Sequence, residues 1–254
     1  MKSKLLKMMF FLKSQKNNRF SLIYLVTVIF ALSLFTSCNP DDENGKVQLV
    51  KTITLHTISD DPEKPLNYNF EYDNKNRITT VYVDDNQTID EILYQIKYNG
   101  NDLVKFVIGN DIFMFSKNGN KITVLWNNYE DTIELNSDGY PIKASYNAHS
   151  HNSDNIVTFQ YLDKNLVAAT FNFSETITYK YDNKNSPFYH CKTPKWFFIY
   201  FGFLFDEIID YDINNNKIEG GYFAFQSHYH YQYDNNNFPI KKYCNGKLYA
   251  TFTY

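Results

Sequence analysis

The chain has 254 residues, of which 43% are hydrophobic and 18% aromatic, a composition typical of a folded protein rather than a disordered one. Six of its 25 Lys and Arg residues, and none of its 28 Asp and Glu residues, lie in the first 37 positions. The remaining 217 residues therefore carry 19 basic against 28 acidic side chains, a net charge of −9. Such a charge opposes binding to nucleic acid and to anionic lipid headgroups.

The first 37 residues have the organisation of a secretory signal. A basic region is followed by an apolar stretch, residues 22–35, which ends at the small residues Thr36 and Ser37 before Cys38. The stretch is shorter than the roughly 20 apolar residues of a spanning helix. We predict that residues 1–37 are a signal peptide, removed by cleavage before Cys38.

The residues around the predicted cut resemble a lipobox, the motif of lipoprotein signal peptidase, although Phe35 replaces its usual Leu, Val or Ile. Residues 39–43 resemble the acidic tether of surface-exposed Bacteroidetes lipoproteins. The resemblance implies lipid on Cys38, a tether over residues 38–46, the bilayer as a partner, and an outer-membrane location facing the cell exterior. The alternative is an ordinary cleaved signal with an incidental cysteine.

A short motif recurs through the rest of the chain. It begins at Tyr72 (Tyr-Asp-Asn-Lys-Asn-Arg-Ile) and returns at Tyr98, Tyr161, Tyr181 and Tyr233, with weaker copies at Ser116 and Leu135. Four residues after each start lies a residue type that tolerates a left-handed backbone. These residues are Asn76, Asp102, Asn120, Gly139, Asn165, Asn185 and Asn237. They predict hairpin turns, with positive φ at Asn76, Asn165 and Asn237.

The flanks of the motif alternate strictly between apolar and polar residues. Phe70 and Tyr72 occupy alternate positions, with the polar Glu71 between them. The same alternation occurs around Tyr98, Tyr161 and Tyr233. Period-two alternation predicts strands with one buried face. We therefore predict an all-β domain over residues 47–254. It is an antiparallel meander of about 12–16 short strands, forming a barrel or a strongly curved sheet.

The motif Tyr-Asp-x-x-Asn-Arg-Ile resembles the YD repeats of Rhs and teneurin-type shells. Together with the lipobox, residues 46–254 resemble the Bacteroidetes lipoproteins of unknown function with a porin-like fold. This second resemblance implies a fold and no catalytic residues.

One segment, residues 192–221, interrupts the repeats. Thr193 and Pro194 suit the N-cap and first position of a helix, and residues 196–205 are apolar apart from Gly202. We predict a short buried helix there, either packed as a plug against the aromatic face or lying across the barrel mouth.

Candidate chemical sites are few. His149 and His151, and His228 and His230, each lie two residues apart, a spacing at which two imidazoles on a strand can share a zinc ion. In the alternative interpretation these histidines face solvent and bind no metal, so no third ligand is required. Cys191 and Cys244 are either a disulfide in an oxidising compartment or two free thiols. No cofactor is expected.

The expected function is a lipid-anchored binding or scaffolding module for a glycan, an envelope polymer or a protein, without enzymatic activity. One alternative is a polysaccharide-acting or metal-dependent hydrolase, which would need a third ligand beside His228 and His230. The other is an integral outer-membrane β-barrel, a class whose chains often end in an aromatic residue, as Tyr254 does here.

Overall fold

The computed structural model describes residues 47–56, 65–84, 91–146, 155–172, 175–205, 215–222 and 225–254. They form sixteen strands and a helix. The strands are β1 (Thr52–Leu55), β2 (Leu66–Tyr72), β3 (Ile78–Asp84), β4 (Glu91–Asn99), β5 (Asp102–Ile108), β6 (Asp111–Asn118), β7 (Lys121–Trp126), β8 (Tyr129–Leu135), β9 (Pro141–Tyr146), β10 (Asn155–Leu162), β11 (Asn165–Phe171), β12 (Glu175–Asn185), β13 (Asn215–Tyr222), β14 (Phe225–Tyr233), β15 (Pro239–Cys244) and β16 (Lys247–Thr253). The helix, α1, is Lys195–Phe205.

The strands form one closed antiparallel barrel in which each strand pairs with its neighbours in sequence. The barrel closes where β1 pairs with β16, with Ile53 opposite Phe252. The predicted all-β meander with one short helix is thus confirmed. Closure of the sheet decides between the barrel and the open curved sheet in favour of the barrel.

The barrel wall has a largely apolar inner face and an outer face that carries polar residues together with some exposed apolar ones. In β6, for example, Phe113 and Phe115 are buried, whereas Met114 and Ser116 between and beside them are exposed. Outward-facing residues pair across neighbouring strands through polar groups. These pairs include hydrogen bonds between Thr52 and Asn69 (2.9 Å), Thr54 and Asn67 (2.7 Å), and Thr170 and Thr176 (3.0 Å), and an ion pair between Lys180 and Glu219 (2.9 Å). The two parities of the sequence pattern therefore correspond to the inside and the outside of a closed wall.

Three hairpins contain the same five-residue turn, built around an Asp or Asn side chain. In the β2–β3 turn, Asp73 Oδ1 accepts hydrogen bonds from the backbone N–H groups of Lys75 (2.9 Å) and Arg77 (3.0 Å). Burial alone would raise the pKa of the Asp73 carboxyl, but hydrogen bonds from Arg77 and Lys75 outweigh it and hold the pKa below its ordinary value. Asn136 and Asp234 accept the equivalent bonds in the β8–β9 and β14–β15 turns.

Helix α1 lies inside the barrel. Six consecutive residues, 196–201, are each 5% exposed or less, and because they cover every direction around the helix axis, protein surrounds this part of the helix. Phe197 and Phe201 pack edge-on against Phe106 of β5, with ring centroids 5.1 and 4.7 Å apart. Within the described residues, no helix has the length and apolarity needed to cross a bilayer.

The boundary predicted for the insertion needs one correction. Residues 215–221, which were assigned to it, belong to β13, which pairs with β12. Gly220 and Gly221 lie in this strand. A Cβ on Gly220 would come within 2.8 Å of the Tyr179 ring, so close packing against that ring, rather than a loop, explains this glycine.

Candidate functional site

The six motif hairpins and the end of β12, where the seventh motif copy lies, are at one end of the barrel, here called the turn end. They share this end because successive turns of a meander alternate between its two ends. The chain enters the barrel at the turn end, where Gln48 donates hydrogen bonds to His190 Nδ1 (3.0 Å) and to Asp234 Oδ2 (3.0 Å). Val50 is fully buried, and its carbonyl accepts a hydrogen bond from Tyr72 (2.8 Å). Residues 48–50 therefore attach the start of the described chain to the turn end.

Residues 186–194, here called the mouth segment, cross the turn end between β12 and α1. The N–H of Lys192 donates to the carbonyl of Asn76 in the β2–β3 turn (2.9 Å). Thr193 Oγ1 accepts a hydrogen bond from the N–H of Ile78 (2.9 Å) and lies 3.1 Å from the Tyr98 hydroxyl. These contacts attach the start of α1 to the barrel wall, so the mouth segment determines where the helix enters the interior.

A cleft of about 310 Å³, here called the mouth cleft, remains between the mouth segment and the β4–β5, β6–β7 and β8–β9 hairpins. Its apolar lining includes Leu103, Ile122, Leu135 and Trp196. Its charged lining consists of Asp102, Lys117, Asp138, Lys192 and Lys195. Tyr189, which is 40% exposed, also lines it. The volume lies at the lower end of the range for small-molecule sites, about 300–1,000 Å³.

Lys195 has an unusual environment in this cleft. Burial lowers the pKa of its ammonium group to about 8. The charges of Lys192 and Lys164 also lower this pKa, while Cys191 acts in the opposite direction. Burial likewise raises the pKa of the nearby Cys191 thiol. Lys195 is also the first residue of α1, where the helix dipole disfavours a cation. An anion in the cleft would relieve both penalties.

The barrel interior holds a buried acidic side chain that contacts helix α1. Asp131 of β8 is 6% exposed and accepts a hydrogen bond from the Tyr200 hydroxyl of α1 at 2.5 Å. The Tyr146 ring stacks on Tyr200, with centroids 5.6 Å apart. This contact connects α1 to β8 and β9 and orients the helix within the barrel.

Two buried lysines lie in another part of the interior. Lys217 of β13 and Lys242 of β15 are 7% and 6% exposed, and their ammonium groups lie 5.5 and 4.7 Å from the centroid of the Tyr229 ring. Aromatic rings at such distances stabilise cations in apolar surroundings.

Several residues singled out in the sequence have clear places in the structure. His228 and His230 are exposed on the outer wall, and the His230 ring stacks on Tyr243 with centroids 4.4 Å apart. Cys191 and Cys244 are separate buried thiols with no disulfide between them. Among the described residues, no three or more His, Cys, Asp or Glu side chains are grouped to hold a metal ion. Cys38, His149 and His151 lie outside the described residues.

The predicted turn residues divide into two sets. Asn76, Gly139 and Asn237 have φ of 62°, 82° and 64°. In the other hairpins the left-handed residues come earlier in the chain, at Gly100, Gly119, Asp163 and Lys164. Positive φ at Asn165 was therefore wrong: this residue, like Asp102, opens a strand, whereas Asn120 follows Gly119 in its turn and Asn185 ends β12. The β2–β3 turn has five residues between the paired Tyr72 and Ile78, whereas the β4–β5 turn has four between the paired Tyr98 and Leu103. The shorter turn moves the residue with positive φ to an earlier position of the motif.

Sequence reasoning missed Lys192 and Lys195 as candidate binding residues. The sequence did contain a signal for them. The helix dipole disfavours basic residues at a helix start, so lysines at that position indicate a role other than stabilising the helix. The hairpins that complete the cleft are distant in sequence, so their contribution needed the folded barrel.

Comparison with known proteins gives similarity of fold only. No protein-family model matches the chain, so none supports the YD-repeat resemblance, and no curated protein matches either. A porin-like protein from Bacteroides uniformis ATCC 8492 is a similar solved structure, at 12% identity over 80% of this chain and 97% of that one, with a TM-score of 0.39. A porin-like protein from Bacteroides vulgatus ATCC 8482 is similar at 14% identity over 82% and 99%, with a TM-score of 0.37.

Proposed function

We propose that the chain is an exported lipoprotein, anchored to the outer membrane by lipid on Cys38 and facing the cell exterior. Its barrel stands in water and serves as a non-enzymatic binding or scaffolding module for a glycan, an envelope polymer or a protein. The observation that carries this proposal is the distribution of polar and apolar side chains across the barrel wall.

Membrane-spanning barrels carry an apolar outer band about 25 Å tall around a polar interior. This barrel has a largely apolar interior and many polar side chains on its outer wall. Its outer wall carries Thr–Asn, Thr–Thr and Lys–Glu pairs, each of which would lose water contact in a bilayer. Aromatic side chains and α1 occupy most of its described interior, with Asp131, Lys217 and Lys242 buried among them, which supports a packed core rather than an aqueous channel.

The alternative, an integral outer-membrane barrel, has specific support in sixteen antiparallel strands closed as one meander. An outward apolar patch adds to it, in which Met114 of β6 pairs with Leu125 of β7 beside Ile112. Along the same strands, however, Ser116 pairs with Thr123, and Leu125 pairs with Glu130 of β8. This interruption by polar residues favours water on the outer wall.

One fractionation experiment tests both parts of the proposal. The full chain, expressed in a bacterium with an alkyne palmitate analogue, is expected to be labelled and membrane-bound, whereas Cys38→Ala stays unlabelled and uncleaved. Residues 39–254 are expected to remain soluble without detergent and to give a β-type circular dichroism spectrum.

Cys244→Ala is the control, because it removes a cysteine and keeps Cys38, and it should be labelled like the wild type. Equal label in Cys38→Ala and wild type would disprove the anchor. If residues 39–254 stayed in solution only with detergent, the integral barrel would replace the water-facing module.

A further inference from the structure

We propose that the mouth cleft binds a carboxylate-bearing saccharide, with Lys195 and Lys192 contacting the carboxylate and Tyr189 facing the sugar ring. This inference deepens the proposed binding function by naming its site and the class of its ligand.

The charge of the cleft argues for an anion. Three lysines and two aspartates line it, so it carries a net positive charge within a mature chain of net charge −9. In the described structure, none of the ammonium groups of Lys117, Lys192 and Lys195 forms an ion pair or donates a hydrogen bond. Lys117 and Lys192 are exposed, but Lys195 is half-buried. A half-buried cation without a partner is costly, and a bound carboxylate would provide that partner.

The start of helix α1 adds to the positive electrostatic potential of the cleft. Lys195 is the first residue of α1, and the first turn of the helix contains no acidic residue to balance the positive end of its dipole. Helix N-termini bind carboxylates and phosphates through this charge and through their free N–H groups. Here the helix start, the cleft and the partly buried Lys195 coincide.

The remaining lining favours a sugar over a bare inorganic anion. Tyr189 is 40% exposed beside the cleft, and an exposed aromatic ring can stack on the apolar face of a pyranose. Asn101 and Asp138 supply polar groups of the kind that hydrogen-bond to hydroxyl groups. The apolar floor formed by Leu103 and Trp196 excludes water from one side of a ligand.

The test is calorimetric titration of the mature protein, purified in dodecyl maltoside, with D-glucuronate and with D-glucose at pH 7. Glucuronate is expected to bind and glucose to bind at least about tenfold more weakly, since it lacks the carboxylate. Lys195→Gln and Lys192→Gln should each weaken glucuronate binding about tenfold. Lys247→Gln, at an exposed residue outside the cleft, should leave it unchanged.

A second readout uses pH. Because the pKa of Lys195 is about 8, its charge falls between pH 7 and 9.5, so wild-type affinity should fall by about tenfold, whereas Lys195→Gln should lose most of this dependence. The other ionisable groups around it are Asp102, Lys117, Asp138, Lys164, Tyr189, Cys191 and Lys192.

No binding of glucuronate, equal binding of glucose, or full affinity in both lysine variants would overturn the proposal. The titration is performed in detergent, so it works whether the barrel wall faces water or lipid. Failure of this ligand and failure of the proposed water-facing module are therefore separate outcomes.

Discussion

At the scale of single residues, the turn chemistry decides where the chain reverses. Asn76 and Asn237 lie in five-residue turns and have positive φ. In the turn that contains Asn120, the residue with positive φ is Gly119. The turn type follows from the number of residues between the paired strand ends, which the motif alone does not reveal. Equivalent positions in the repeat therefore differ in their tolerance of substitution.

We expect Asn76→Val to lower the free energy of unfolding by about 1–2 kcal/mol, because a β-branched side chain is disfavoured at φ of 62°. Asn76→Gly should be close to neutral. Asn120→Val, at the aligned but exposed position without positive φ, should change the free energy by less than about 0.5 kcal/mol. Urea unfolding of residues 39–254 measures all three. Equal effects of valine at both sites would contradict the assigned turn geometry.

At the scale of elements, α1 provides the connection between the mouth segment and the interior. It enters at the turn end and packs its aromatic rings on β5 and β6, and its polar contact with the wall is the Tyr200–Asp131 hydrogen bond. A helix without a polar face needs such directional contacts to select one rotation among similar apolar packings.

We expect Tyr200→Phe to destabilise the barrel by about 2 kcal/mol, because it removes a hydrogen bond to a buried carboxylate. Asp131→Leu should also destabilise, but the double variant should lose less than the sum of the two, with a coupling of about 1–3 kcal/mol. A double-mutant cycle by urea unfolding measures this coupling. Strictly additive effects would mean that the two side chains do not interact.

At the scale of the whole molecule, a sixteen-stranded barrel is wide, and bulky side chains fill the space that strand number creates. This accounts for much of the aromatic content of residues 47–254, which contain 21 of the 22 Tyr and 17 of the 22 Phe residues of the chain. Many of the tyrosines bury their rings, and burial raises the pKa of six hydroxyl groups above the ordinary value of 10. They are Tyr72, Tyr98, Tyr146, Tyr161, Tyr200 and Tyr254.

These tyrosines predict alkaline unfolding. Above pH 10 the unfolded chain loses tyrosine protons that the folded barrel retains, so the free energy of unfolding falls as pH rises. Lys195 has the opposite sign: its folded pKa of about 8 lies below the unfolded value, so stability should rise by about 1–2 kcal/mol between pH 8 and 10. Lys195→Gln should remove this rise and keep the loss above pH 10.

Urea midpoints across this pH range, with tyrosinate absorbance at 295 nm, measure both effects. Absorbance should increase together with unfolding for the buried rings. Full ionisation of these six tyrosines near pH 10 in a barrel that is still folded would contradict their burial.

The sequence by itself determined the strands, their two faces, the meander and the presence of one apolar helix. These features follow from local signals: period-two alternation around Phe70 and Tyr72, turn residues such as Asn76, and the largely apolar run over residues 196–205. In a meander each turn places the two strands that it joins side by side, so strand pairing follows from the positions of the turns.

Only the tertiary structure decided the strand number, the closure of β1 on β16, the position of α1 inside the wall, and the mouth cleft. Ile53 and Phe252 are separated by nearly the whole domain, and Lys195 faces hairpins that end some 60–90 residues earlier in the chain. No local pattern encodes such pairs, because they depend on how the accumulated twist and stagger of sixteen strands bring distant segments together.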